Sequence, residues 1–199
     1  MSALNNPWIS IKNWETRDLL VVAALGIVPG VALLPVVFVG FTVRAAVGPL
    51  GTILNAGLFY LPGLMALYIV RKPGASILNG IFVGLVWIPL TPFGFAVAIP
   101  TIVARIGSEI PVLLTRYRRF DQAIMVVSGA TAGLLALGVI YIPSSFQTLA
   151  LPIQAVLIVG HGLSGAVLSG LLGKLLADKL AETGVLSAHP IVDSVDTGA

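Results

Sequence analysis

Arg105 and Glu109 stand one helical turn apart in the run ARIGSEIPVLLTRYRRFDQ, an apolar stretch that ends in Arg116, Arg118 and Arg119. A guanidinium and a carboxylate at i and i+4 share one face of a helix. Such a pair can neutralise itself and fix the helix rotation, or it can hold a ligand, and both readings stay open on spacing alone. Few other polar or amphipathic groups could join them: Asn79 and Trp87 upstream, Tyr141, Gln154 and His161 downstream. A lone histidine in such a setting either contacts ligand or hydrogen-bonds a neighbouring carbonyl.

The elements that must carry these residues are set by the solvent the chain is built for. Hydrophobic residues make up 57% of the 199 and charged residues only 10%, with a mean hydropathy of +1.04. A soluble domain carries about a quarter charged residues, so this chain belongs in a bilayer and fits one compact bundle. The absence of cysteine excludes disulfides, thiolate metal sites and a cysteine nucleophile. The net charge of +3 reflects where basic residues fall along the spans, and no nucleic-acid partner is expected.

A helix needs about 20 mostly apolar residues to cross the hydrocarbon. Six such runs are predicted, at residues 19–41, 50–70, 74–90, 93–115, 123–142 and 149–177. Threading six spans puts Lys12, Arg17, Arg71, Lys72, Arg116, Arg118, Arg119, Lys174 and Lys179 on one side, with Arg44 on the other. The crowded side is the cytoplasm by the positive-inside rule. The expectation is an all-α membrane protein, a single bundle of six transmembrane helices in the cell membrane, with both termini cytoplasmic. Residues 1–18 read as an interfacial N-terminal segment with Trp8 and Trp14 as anchors, 19–177 as the transmembrane domain, and 178–199 as a polar tail expected to be disordered.

Small residues recur at helix-packing spacings: Gly162, Ala166 and Gly170, with Gly165, Ser169 and Gly173 beside them, Gly129 and Gly133, and Gly26 and Gly30. They let backbones approach closely in lipid, either inside the bundle or against another protein. The run Gly160-His-Gly-Leu-Ser-Gly165 copies a dinucleotide fingerprint, but it sits inside a span-length apolar stretch with no further strands downstream. No phosphate-binding loop, H-E-x-x-H or G-x-S-x-G occurs. The chain therefore cannot hydrolyse ATP by itself.

Several features in order complete the sequence reading. They are Trp14-Glu-Thr-Arg17-Asp18 before the first span, Leu61-Pro-Gly-Leu-Met-Ala-Leu-Tyr68-Ile-Val-Arg71-Lys72-Pro73-Gly74-Ala75, then Gly107-Ser-Glu109 and Arg116-Tyr117-Arg118-Arg119-Phe120. This order resembles the substrate-binding S components of energy-coupling factor (ECF) transporters, and among them the YkoE type, associated with hydroxymethylpyrimidine and thiamine. The resemblance covers most of the membrane region. It implies a non-enzymatic subunit for vitamin or vitamin-precursor uptake that docks on a transmembrane coupling protein and two ATPases, which use ATP while this chain itself needs no cofactor or metal. Asn79, Trp87, Arg105, Tyr141, Gln154 and His161 are the candidate substrate contacts, Arg105 and Glu109 the candidate structural ion pair, and Ala23, Gly26 and Gly30 the candidate partner interface. Two rival readings stand beside it: a small intramembrane enzyme, in which Arg105, Glu109 and His161 converge, and a structural membrane subunit that binds no small molecule.

Overall fold

The computed structural model describes residues 14–187 and 189–192, and all regular structure among them is helical. Helix α1 (Thr16–Ala32) opens on a reciprocal cap, in which the Glu15 side chain accepts from the Asp18 amide and the Asp18 side chain accepts from the Glu15 amide. Pro29 lies near its end, and the chain turns at Leu33 into α2 (Leu34–Val47). Pro35 cannot donate to the carbonyl one turn back, so the two helices do not run on as one. The single span predicted at 19–41 is thus two elements.

Helix α2 makes its contacts at one end of the bundle. Val37 packs with Val83 and Trp87 of α4, the Phe41 ring is 4.7 Å from that of Phe93, and the Arg44 guanidinium lies 5.6 Å from the Phe146 ring centre. Only Val37 of this helix is buried. A 3-10 turn (Gly48–Thr52) leads to α3 (Ile53–Val70), which packs on α1, α4, α5, α6, α7 and α8 and is buried throughout from Pro62 to Val70. Left-handed Arg71 ends α3, and Gly74 (φ 85°) opens α4 (Ala75–Leu90). A second 3-10 turn (Gly94–Val97) precedes α5 (Ala98–Leu114), and α6 (Gln122–Tyr141) is capped by Asp121, whose side chain accepts from the Ile124 amide at 3.0 Å. After a third (Phe146–Thr148), α7 (Leu151–Ser164) passes through a π-helical segment (Gly165–Leu171) into α8 (Leu172–Glu182).

Among the described residues, Leu34–Val70, Gly94–Leu114, Gln122–Tyr141 and Leu151–Glu182 are long and apolar enough to cross a membrane, and Ala75–Leu90 is a shorter apolar helix. The two ends of the bundle differ in chemistry. The basic end gathers Lys72 on Asp18 (2.5 Å), Lys174 and the Tyr68 hydroxyl on Asp178 (both 2.8 Å), and Arg71 over the rings of Tyr68 and Phe120. The opposite, aromatic end gathers Phe41, Trp87, Phe93 and Phe146.

The structure bears on two of the expectations. The polar tail predicted from 178 is structured as far as it is described: α8 runs to Glu182, Leu186 and Ile191 are buried in the main core with Val22 and Met65, and His189 approaches Asp18 at 3.5 Å. Two apolar side chains suffice to dock a segment whose average composition is polar. Residues 193–199, and the interfacial segment assigned to 1–13, lie outside the described residues. The small face of α1 is also turned inward. A β-carbon at Gly26 would sit 2.6 Å from the Phe82 β-carbon, and one at Gly30 would sit 3.6 Å from Val86, so these glycines seat α4. Ala23 is half-buried on the same helix.

Candidate substrate site

Arg105 and Glu109 are both buried, and they point to different places. Pro62 within α3 has no N–H for the Leu58 carbonyl one turn earlier. The Arg105 guanidinium bonds the next two carbonyls of that turn: Nη1 donates to the Tyr60 carbonyl at 2.5 Å and Nη2 to the Phe59 carbonyl at 3.0 Å. Its path from α5 to α3 exists because two neighbours lack side chains. A β-carbon at Gly80 would lie 2.6 Å from the Arg105 Cγ, and one at Gly63 would overlap the guanidinium.

Glu109 instead closes the start of α4. Its carboxylate accepts from the Gly74 and Ser76 amides at 2.9 Å, from the Ile77 amide at 3.3 Å and from the Tyr117 hydroxyl at 2.8 Å. The positive pole of a helix N-terminus favours such an anion. Burial, reinforced by the adjacent Glu109 charge, pushes the Tyr117 hydroxyl well above its ordinary pKa of 10.0. No ion pair joins Arg105 to Glu109 among the described residues. The i, i+4 spacing is real, but each side chain finds better-placed backbone partners on another helix.

The Arg105 contact leads to the aromatic end. Phe59, whose carbonyl the guanidinium holds, sets its ring edge-on to Trp87 at 5.3 Å. The Trp87 indole donates to the Gly30 carbonyl at 2.8 Å, and Thr91 caps the Trp87 carbonyl at 2.8 Å. Phe59, Trp87, Phe41 and Val97 pack into one cluster roofed by α2. Phe59 was not among the sequence candidates; the only nearby signal was Pro62 three residues on, which marks this turn of α3 as irregular.

The other candidates lie elsewhere. Asn79 sits on α4, where its amide donates to the Val22 carbonyl at 3.2 Å and leaves Oδ1 without a partner. The Tyr141 hydroxyl bonds the Gln154 carbonyl oxygen, and Gln154 donates to Leu149, which ties α6 to α7. The groove beside them, lined by Leu134, Leu137, Gly138, Tyr141 and Ile158, is apolar. His161 is buried, with Nδ1 2.9 Å from the Leu157 carbonyl one turn back. Among the described residues it shares no hydrogen bond with Arg105 or Glu109, so the three do not assemble an acid, base and anion clamp. The Gly160–Gly165 run is helical throughout, as its apolar context required.

Charge is segregated along the bundle. The described carboxylates, Glu15, Asp18, Glu109, Asp121, Asp178 and Glu182, all belong to the basic end or its loops. Arg105 near mid-bundle and exposed Arg44 over Phe146 are the charges toward the aromatic end among the described residues.

A bundle of apolar helices with an aromatic cluster at one end and charged stitching at the other has the build of a membrane protein. The chain belongs to the family described as "ABC-type cobalt transport system, permease component", whose profile matches residues 17–135. It is 28% identical over 178 residues, 89% of either chain, to the "Putative HMP/thiamine permease protein YkoE" of Bacillus subtilis (strain 168). A solved structure titled "Crystal structure of an S-component of ECF transporter" superposes with a TM-score of 0.89 at 26% identity, covering 94% of this chain and 95% of that one. These relatives are transport components and not enzymes, and the resemblance to ECF S components read from the sequence holds across nearly the whole fold.

Proposed function

We propose that this chain is the substrate-capturing subunit of an ECF-type importer, taking up a vitamin or vitamin precursor of the hydroxymethylpyrimidine and thiamine group. The supporting observation is the cluster in which Phe41 of α2 packs with Phe59 of α3 and Trp87 of α4, α2 being a helix with one buried residue. Flat aromatic ligands stack on such rings, and a thinly anchored roof is one that can lift. In this reading the basic end faces the cytoplasm, six crossings are made by α1, α3, α4, α5, α6 and the α7–α8 unit, and the aromatic end faces outward. Trp87 and Phe59 contact the ligand, and Arg105 holds Phe59 in place. Asn79, Tyr141, Gln154 and His161 hold helices together. The energy for uptake comes from a separate coupling protein and ATPases, since this chain has no phosphate-binding loop.

The test is mass spectrometry of the small molecule that leaves the purified protein on denaturation, together with uptake of labelled hydroxymethylpyrimidine in cells with and without a coupling module. A bound heteroaromatic compound and uptake that requires the module are expected. A protein that retains nothing and binds neither hydroxymethylpyrimidine nor thiamine would refute the reading.

A further inference from the structure

Helix α5 is two-faced. Thr101, Arg105, Ser108 and Glu109 lie buried and bonded on one side, while Ile99, Ile106, Ile110, Leu113 and Leu114 are exposed on the other. Steps of seven, four and three residues keep these apolar side chains in one stripe. The span that carries the stripe, Gly94–Leu114, is long and apolar enough to cross a membrane, so lipid chains lie against it. The helix then closes in a turn that a glycine ordinarily makes. The Tyr117 amide donates to the Val112 carbonyl at 2.9 Å and the Arg116 amide to the Leu113 carbonyl at 2.8 Å, the pairing of a Schellman cap. Arg116 and Tyr117 are left-handed in succession, at φ 55° and 56°, a conformation that side chains oppose. The Tyr117 hydroxyl, bonded to buried Glu109, holds the turn in it.

Strain kept in place by a buried anchor points to a use for what the turn displays. It displays Arg116 and Arg118, both exposed, and neither side chain has a hydrogen bond or ion pair among the described residues. The other basic groups of this end behave differently: Arg17, Lys72, Arg119, Lys174 and Lys179 each sit on a carboxylate. The Glu109 charge beneath the turn is taken up by the α4 amides. Two free guanidiniums two residues apart, just past the end of the span, stand at headgroup depth and within reach of one phosphate, which their fork geometry suits. We propose that the outer face of α5 binds an anionic phospholipid of the leaflet at the basic end. Arg116 and Arg118 take its phosphate, and an acyl chain lies along Ile106, Ile110 and Leu113. A zwitterionic lipid brings the same phosphate with its own cation, so the site selects for net negative headgroups. This selection is independent of what the subunit transports.

The experiment is native mass spectrometry of the full chain released from nanodiscs of equal phosphatidylglycerol and phosphatidylcholine, with the retained lipid counted by headgroup. A basic residue near an anionic surface favours binding about fivefold, so retained phosphatidylglycerol should exceed phosphatidylcholine by about tenfold or more. Arg116→Gln combined with Arg118→Gln should cut that ratio about fivefold or more. The double lysine variant at the same positions keeps the charge and should keep most of the preference, which separates lost charge from a disturbed turn. Lys179→Gln with Glu182→Gln removes a paired charge from the same end and should leave the ratio unchanged. Excess inorganic phosphate should not release the lipid, since it has no chain to lay on the stripe. Equal retention of the two lipids by the unaltered chain, an unchanged ratio in the double glutamine variant, or release by inorganic phosphate would overturn the proposal, as would a second copy of the chain retained in place of lipid.

Discussion

Replacing Glu109 by Gln keeps the shape of the side chain and removes its charge. The carboxylate is 6% exposed and serves three backbone amides and the Tyr117 hydroxyl. Hydrogen bonds to a charged group contribute roughly 1.5–3 kcal/mol each, against about 1 kcal/mol for neutral ones. A glutamine offers one acceptor oxygen, and its NH2 group must then face a donor. Weakening two backbone bonds and orphaning one further donor gives an expected loss of about 3 kcal/mol, part of it from the α4 dipole. At roughly 2–4 °C per kcal/mol for a chain of this size, the melting temperature should fall by about 6–12 °C. The informative version is a double-mutant cycle with Arg105→Gln, read by thermal unfolding in one detergent. Since the two side chains share no direct partner, the losses should add, with a coupling energy below about 0.5 kcal/mol. A coupling above about 1 kcal/mol, the range for residues in contact, would show that they act as an ion pair and refute the assignment of separate partners.

Three further outcomes are expected. Gly80→Ala should destabilise by about 1–3 kcal/mol and weaken ligand binding, because its β-carbon meets Arg105, whereas Gly84→Ala one turn on, with nothing within 4 Å, should do neither; equal effects would remove the slot argument. Burial holds the His189 imidazole below its ordinary 6.5, against the opposing pull of Asp18. The unfolded segment thus binds a proton more readily than the docked one, and stability is lost as pH falls through about 6.5. Hydrogen exchange at 183–187 should quicken on acidification to about pH 5.5, and His189→Asn should flatten that dependence. Reporter tags at Gly48 and beyond Ile191 should fall on opposite sides of the membrane; the same side for both would invalidate the six-crossing threading.

The helical class and most of the helix positions were legible because a bilayer leaves few alternatives: the runs at 50–70, 74–90 and 93–115 each contain the helix found there, and those at 123–142 and 149–177 miss only the first residue of α6 and the end of α8. The first run misled because apolarity does not show where a helix breaks: the chain turns at Leu33, before Pro35, and α2 follows as a separate element. Arg105 and Glu109 were identified as special on sound grounds, since charges in such a run need partners. Their partners were not legible. They are mostly backbone groups of α3 and of the start of α4, reached in the case of Arg105 past two glycines far away in sequence, and no spacing rule within α5 encodes that.

The π-helical segment between α7 and α8 changes how the last membrane helix should be counted. A β-carbon at Gly129 of α6 would run into both the Gly165 carbonyl and the Gly170 amide, two groups five residues apart that address the same spot. The wider turn brings them into line, so a tally of small residues at intervals of four passes over the pair that makes the closest seam. The same extra residue sets the angular phase of everything after it. It aims Lys174 and Asp178 at Tyr68 while leaving His161 and the first half of the helix undisturbed. The segment thus works as a vernier: two stretches of one continuous helix answer to different neighbours, and a one-residue deletion there would turn the C-terminal half by about 100° without changing any side chain beyond the deletion.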